Sequence, residues 1–396
     1  MSQHQDPVVI VSAARTPMGA FMGDFADLAA HDLGGAAIKA AVERSGIAPA
    51  LVEEVLFGNC LMAGQGQAPA RQALFKGGLP QSTGAVTLSK MCGAGMEATI
   101  LAHDQLIAGS REVMVSGGME SMSGAPYLLK KGRGGYRMGH DKVFDHMMLD
   151  GLEDAYEPGR SMGTFGEDCA AKYQFTREQQ DAFAIASVTR AQEAAKSGAF
   201  DAEIAPVTIK TRKGDVTVSV DEGPAKARLD KISSLKPAFK KDGTITAASS
   251  SSINDGAAAM VLMRASTAKR LGCKPLARIV GHATHAQAPE WFSTAPVGAT
   301  EKLLKKIGWQ VGDVDLWEIN EAFAVVPMAL MADLKIAHDK VNVNGGACAL
   351  GHPIGASGAR ILVTLVHALK GRGKKKGLAT LCIGGGEATA MAIELI

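Results

Sequence analysis

Apolar and polar residues recur along this chain in two rhythms. Val8–Ala13 is a short β-branched apolar stretch and reads as a buried strand, whereas Leu28–Ser45 repeats its apolar positions at helical spacing and closes at Gly46. Val52–Gly58 returns to a strand pattern, so the chain opens strand–helix–strand and favours a parallel sheet with helices packed on it. The same order comes back downstream: Leu276–Ala283 as a strand, Gly298–Ile307 as a helix closing at Gly308, and Val314–Asn320 as a strand. After each copy comes a glycine-rich loop, a helix and an apolar strand ending in glycines. In the first these are "KMCGAGMEATILAHDQLIAG" and "EVMVSGGME"; in the second, "GHPIGASGARILVTLVHALKG" and "LATLCIGGGEA". Two copies of one α/β pattern predict a duplicated core.

Residues 121–248 have a different texture, with Gly-, Met- and charge-rich segments, one clear helix at Arg177–Ser197 and a hairpin pattern in "VTIKTRKGDVTVSV". This stretch reads as an excursion that folds over something, after which "INDGAAAMVLM" supplies a last strand to the first copy. The division that follows is residues 1–120 with 249–272 as a first half, 121–248 as an inserted loop domain, and 273–396 as a second half.

Composition narrows the function classes. A chain of 396 residues suggests two or three domains, and 46% hydrophobic with 21% charged residues is ordinary for a globular protein. A net charge of +2 gives no global field for nucleic acid or an anionic membrane, and the basic runs "KKGRGG" and "KGRGKKKG" read as solvated turns. The six cysteines form no C-x-x-C pair, which fits reduced thiols better than a zinc site or a disulfide framework. With no signal-peptide pattern at the start and no run of ~18 apolar residues, the expectation is a soluble, cytoplasmic protein.

Four places carry candidate chemistry. Cys92 precedes Gly93 and a helical stretch, Met96–Ile107, where unpaired N–H groups and the helix dipole would favour thiolate and lower the thiol pKa by one or more units. His352 stands between a glycine and Pro353, projecting from the loop ahead of the helix Ile354–Leu369, with glycines that leave room for a substrate. Cys382 ends an apolar strand before Gly384, Gly385 and Gly386, whose N–H groups are raw material for an oxyanion hole. Asn320 and Glu321 follow a strand directly and could orient a ring or a water, or cap the next helix. Each also admits a structural role: a packed cysteine, a turn histidine, a core cysteine at a strand end.

Together these segments resemble the thiolase family, most nearly its acetyl-CoA acetyltransferases, over almost the whole chain. The carriers are "SAARTPMGAF", "KMCGAGMEA", "SGGMESMS", "NDGAAA", "NEAFA", "NGGACALGHPIGASGAR" and "LCIGGGEATAMA". The resemblance implies a layered α/β/α/β/α core with a loop domain covering coenzyme A. It implies reversible condensation of two acetyl-CoA to acetoacetyl-CoA, or thiolysis of a 3-ketoacyl-CoA, through an acyl-cysteine. Cys92 then matches the nucleophile, His352 its base and Cys382 the second acid/base. One oxyanion hole uses His352 with a water on Asn320; the other uses the N–H groups of Cys92 and Gly384. Met162, Phe323 and Leu152 match acyl-pocket positions and Ser251 one that meets pantetheine. No metal or cofactor is implied beyond coenzyme A thioesters as substrates, and family members associate as homodimers or homotetramers.

Some positions depart from the family pattern. Ser89 replaces the usual asparagine three before the nucleophile, Ala94 stands where serine is frequent, and Ser161 replaces a histidine common before the Met-Gly pair. Glu387 is an unusual acid after the glycines and is expected to be a solvated turn residue. Ser161 keeps open a broader-chain 3-ketoacyl-CoA thiolase. Two rivals are a decarboxylating condensing enzyme, which would lack a second cysteine such as Cys382, and a non-catalytic CoA- or lipid-binding protein, which would lose the nucleophile and bases.

Overall fold

The computed structural model describes residues 6–396. Its first half is built on β1 (Val8–Arg15), β2 (Glu54–Gly58), β3 (Gly84–Leu88), β4 (Val113–Ser121) and β5 (Asn254–Arg264). The sheet runs β3-β2-β4-β5-β1, parallel from β3 to β4 and antiparallel from β4 through β5 to β1. Its helices are α1 (Ala30–Ser45), α2 (Pro69–Lys76) and α3 (Ala94–Ala108). Helix α1 ends on Gly46 in the left-handed conformation, the stop signal read from the sequence.

The chain between the halves contributes α4 (Met162–Tyr173) and α5 (Arg177–Ser197). Helix α5 starts where expected because Thr176 and Gln179 form a reciprocal capping box. The hairpin pairs Val207–Thr211 with Gly214–Val218, and Val207 packs into the core under α1.

The second half repeats the first. Its strands are β6 (Ala277–Ala286), β7 (Leu316–Ile319), β8 (Lys376–Ile383) and β9 (Glu387–Leu395), in the order β7-β8-β9-β6. Strands β7 and β8 are parallel and the remaining pairs antiparallel, and Val341 bridges Trp317 in the place that β3 holds in the first half. The helices are α6 (Ala295–Ile307), α7 (Val325–Leu334) and α8 (Ile354–Gly371). Helix α6 begins three residues before its expected start, continuing a short turn at Pro289–Thr294.

The two sheets meet edge to edge where β1 pairs with β6 at Val9–Arg278 and Ile10–Ala277. Helices α3 and α8 lie between them: one core joins Met96, Ile100 and Leu106 to Leu362 and Leu365, and to strand residues of both halves. Helices α1 and α2 cover the outer face of the first sheet, α6 and α7 that of the second. The result is the layered α/β/α/β/α arrangement, with the N-termini of α3 and α8 at the same end as the carboxyl ends of β4 and β8. Ligands of α/β sheets settle at such ends.

Candidate active site

Cys92 sits in a turn between β3 and α3. Met91, directly before it, has φ of 45°, a left-handed conformation that a non-glycine residue adopts only when its surroundings hold it there. The next residues enter the helix at once, with Ala94 N–H donating to the Met91 carbonyl at 2.9 Å. The sulphur therefore stands at the helix start, as the sequence predicts.

Its ionisation differs from expectation. Burial pushes the Cys92 thiol up to about 11, although the N–H groups of Gly384 and of Cys92 itself pull it down. Helix-end donors are present, but an apolar cavity withdraws more solvation from the anion than they return. In the resting site Cys92 is a neutral thiol facing ready-made donors. Cys382, at the end of β8, is buried, and burial followed by the nearby Cys92 raises its thiol well above the ordinary value.

His352 is held on both sides. Its backbone N–H faces the Ser252 carbonyl (3.2 Å) and Asn254 Oδ1 (3.3 Å), and its ring Nδ1 lies 2.5 Å from Ser357 Oγ. The Ser357 hydroxyl has one proton, which it donates to the Pro353 carbonyl at 2.8 Å. It must therefore accept from His352 Nδ1–H, and this leaves the lone pair on Nε2. That Nε2 is buried and has no partner among the described residues. Burial, with the Arg360 charge behind it, lowers the imidazole to about 4, so it is a neutral base.

Cys92, His352, Gly384, Leu152, Met162, Ser251 and Phe323 line one cavity of about 60 Å³. It adjoins a larger one of about 260 Å³ whose wall includes Ser161, Met148 and Phe239. Cys382 packs at the edge of this cavity, in one cluster with the lining residues Phe292, Ala322 and Phe323, and within electrostatic reach of the Cys92 sulphur. Asn320 is buried with both amide atoms unpartnered, so it can hold a water. Glu321 belongs to the framework, accepting from Ser187 Oγ (2.7 Å), Asn342 Nδ2 (2.7 Å) and Cys348 N–H (2.9 Å).

The glycines around His352 do not make room for substrate, as the sequence suggested. A Cβ on Gly351 would collide with Asn254 Oδ1 and one on Gly355 would lie 2.8 Å from the Met119 carbonyl oxygen, while those on Gly95, Gly358 and Gly118 would strike Ala359 N, Met96 N and the Gly355 carbonyl. The last four let α3, α8 and β4 touch backbone to backbone. Gly384 is the open one, where a Cβ would meet only Met162 Cε, at 3.4 Å. Glu387, expected in a solvated turn, begins β9 instead, and its partly exposed carboxylate forms an ion pair with Lys90, two residues before Cys92.

Two residues that sequence reasoning passed over organise the site. One is Ser357, which fixes the histidine tautomer. The other is Glu120, buried at the end of β4, whose carboxylate collects Asn59 Nδ2 (2.6 Å) and the N–H groups of Cys60 (3.0 Å), Leu61 (3.1 Å) and Gly355 (2.9 Å). It ties the first sheet to the start of α8. Both lie inside quoted motifs, yet nothing in local pattern separates them from their neighbours.

Comparison with known proteins places this geometry among relatives. The thiolase N-terminal domain model matches residues 8–266 and the thiolase C-terminal domain model residues 273–395. The chain is 52% identical over 388 residues to the acetyl-CoA acetyltransferase of Rhizobium meliloti (strain 1021), covering 98% of both chains. It is 51% identical over 389 residues to that of Cupriavidus necator, covering 98% of this chain and 99% of the other. The crystal structure of the Bacillus anthracis acetyl-CoA acetyltransferase superposes with a TM-score of 0.96 at 42% identity, over 99% of both chains. Acat5 thiolase from Ascaris suum, in complex with coenzyme A, superposes at 0.93 and 42% identity, over 98% of this chain and 100% of that one.

Proposed function

The chain belongs to the thiolase family, and from that premise we propose that it joins two acetyl-CoA into acetoacetyl-CoA and CoA, reversibly, through an acetyl-Cys92 intermediate. The observation that carries this reading is the bare Nε2 of His352 in the same cavity as Cys92 and Gly384.

In the first step Cys92 Sγ attacks the thioester carbonyl while His352 Nε2 takes the thiol proton. The oxyanion that forms meets the N–H groups of Cys92 and Gly384, donors already turned toward the sulphur. The departing CoA sulphur takes a proton from Cys382. The Cys382 thiolate then removes a proton from the methyl of a second acetyl-CoA, whose enolate oxygen is stabilised by His352, now protonated, and by a water on Asn320. The carbanion attacks acetyl-Cys92, and the sulphur leaving it recovers its proton from His352. Both thiols and the imidazole end as they began, so these side chains suffice, with CoA thioesters entering as substrates. A neutral thiol beside a neutral base suits this sequence: charge appears only when the acyl group is present to absorb it.

Met162 and Phe323 close the acyl end, Leu152 flanks it, and Ser251 sits where pantetheine would pass. The small cavity favours an acetyl group. The larger, Ser161-bounded cavity favours, as a second reading, thiolysis of longer 3-ketoacyl-CoAs; kcat/KM for short against medium chains separates the two. The reading extends to a cytoplasmic homodimer or homotetramer. Six unpaired cysteines and the half-exposed strand β3, an outer sheet edge with Val86 bare to solvent, support it. No helix among the described residues is long and apolar enough to cross a membrane.

The test uses acetyl-CoA alone. The Cys92 peptide should gain one acetyl group (about 42 mass units). Cys382→Ala should still acetylate while acetoacetyl-CoA synthesis nearly vanishes. Full condensation by that variant, or binding of CoA without any adduct in the parent protein, would overturn the assignment.

A further inference from the structure

At the far end of α3 from Cys92, a second chemical cluster spans the two halves. His103 Nδ1 lies 2.9 Å from Asp104 Oδ1, and His282 Nε2 lies 3.0 Å from the same oxygen. His103 and Asp104 belong to α3 of the first half, His282 to β6 of the second. We propose that His103 Nδ1, Asp104 Oδ1 and His282 Nε2 form a site for one divalent transition-metal ion of the zinc class, clamping the two halves together.

The three donor atoms lie within 4.8 Å of one another. Ligands at ~2.0–2.1 Å from a zinc-like ion in tetrahedral array stand about 3.3 Å apart, so each nitrogen–oxygen edge need widen by only a few tenths of an ångström. The imidazole rings are 5.0 Å apart between centroids and inclined at 79°. Two imidazoles sharing such an ion would have centroids about 5 Å apart. Two nitrogens and one carboxylate oxygen suit Zn²⁺, Co²⁺ or Ni²⁺ better than the all-oxygen preference of Mg²⁺ or Ca²⁺. Both histidine side chains are only 13% exposed, so their positions are fixed by packing, while Asp104 faces an open cavity of about 330 Å³ that would supply water to the remaining coordination position.

Burial lowers the His282 pKa. Burial works against ionised Asp104, but hydrogen bonds from both imidazoles outweigh it and hold its carboxyl below the ordinary value. On metal binding each imidazole must present a lone pair at the ligating nitrogen, with its N–H on the other one. Two cations also face the cavity. Arg278 is neutralised by Glu394 at 2.9 Å. Lys306 is not: its Nζ donates to the His282 carbonyl at 3.0 Å and would repel an ion.

The test is titration of metal-free protein with Co²⁺, followed by its visible absorption, with Zn²⁺ as competitor. The parent protein should bind one equivalent. His103→Gln and His282→Gln should each weaken binding tenfold or more, and Lys306→Met should strengthen it severalfold. Cys92→Ser should leave this equivalent in place, which separates it from adventitious binding at the active-site thiols. Zn²⁺ should raise the Tm of the parent but not of His282→Gln, whose metal-free Tm reports whether it folds. Absence of saturable binding, parent-like affinity in both glutamine variants, or loss of the equivalent in Cys92→Ser would each overturn the proposal.

Discussion

The single proton of neutral His352 can sit on either ring nitrogen, and Ser357 decides which. Because the serine hydroxyl is already committed to the Pro353 carbonyl, it can only accept from Nδ1, and Nε2 is left as the base. Replacing Ser357 by alanine removes that acceptor and lets the unproductive tautomer compete. The expected result is a fall in kcat of roughly a hundredfold, the low end of what acid–base help contributes, with KM little changed. Ser357→Thr, which keeps the hydroxyl, should restore most of it. The pH profile adds a second readout. A base whose pKa is lowered to about 4 is neutral at all higher pH, so the acid limb of kcat/KM in the parent should fall through about pH 4 and not through the ordinary 6.5. A limb near 6.5 would mean that the imidazole is solvated and the buried geometry wrong. At this scale residue type and position at an element's end single out Cys92, His352 and Cys382 as candidates, each with a structural alternative, and only the family resemblance supplies their roles. Ser357 and Glu120 stay hidden because their roles depend on hydrogen bonds that only the fold creates. The Cys92 thiol departs from the local expectation for a similar reason: dipole and donors are local, burial is not.

Among elements, most strands and the longer helices followed from periodicity, whereas α2, α4, α7 and β9 did not, nor did the way the elements meet. Helices α3 and α8 are separated by more than half of the chain, and the glycines that let them touch leave no periodic trace. Strand β3 also escaped notice, being short, half-exposed and at a sheet edge. The glycines divide into two kinds, and a pair of substitutions distinguishes them. In Gly118→Ala the new methyl meets the Gly355 carbonyl and must push α8 from the sheet, a cost of about 1–3 kcal/mol or more. In Gly384→Ala it meets only the flexible end of Met162 and should leave stability nearly intact while narrowing the acyl cavity and lowering activity. Urea unfolding and acetyl transfer, measured on both, should give opposite rankings. A stable Gly118→Ala would show that backbone contact at this crossing is not needed.

For the molecule as a whole, duplication was visible in the repeated order of elements, and the strand orders β3-β2-β4-β5-β1 and β7-β8-β9-β6 display it directly. What fastens the intervening residues to the halves was not visible, since "SAART" reads only as the end of a strand. Arg15, fully buried, donates from Nε to Glu203 at 2.5 Å and from both terminal nitrogens to Asp221 at 2.6 and 2.9 Å. Glu203 also accepts from Thr364 of α8 at 3.1 Å. One guanidinium thus links the first half, the inserted segment and the second half. Arg15→Ala would leave two carboxylates buried beside a hole, and breaking a buried pair from one side typically costs about 3–5 kcal/mol. Most of that cost belongs to the stranded charges. Neutralising them together, in Arg15→Leu with Glu203→Gln and Asp221→Asn, should therefore recover much of the lost stability in urea. If the alanine variant instead unfolds at the parent's urea midpoint, the inserted segment is held by its apolar contacts, and Arg15 matters only as a packed side chain.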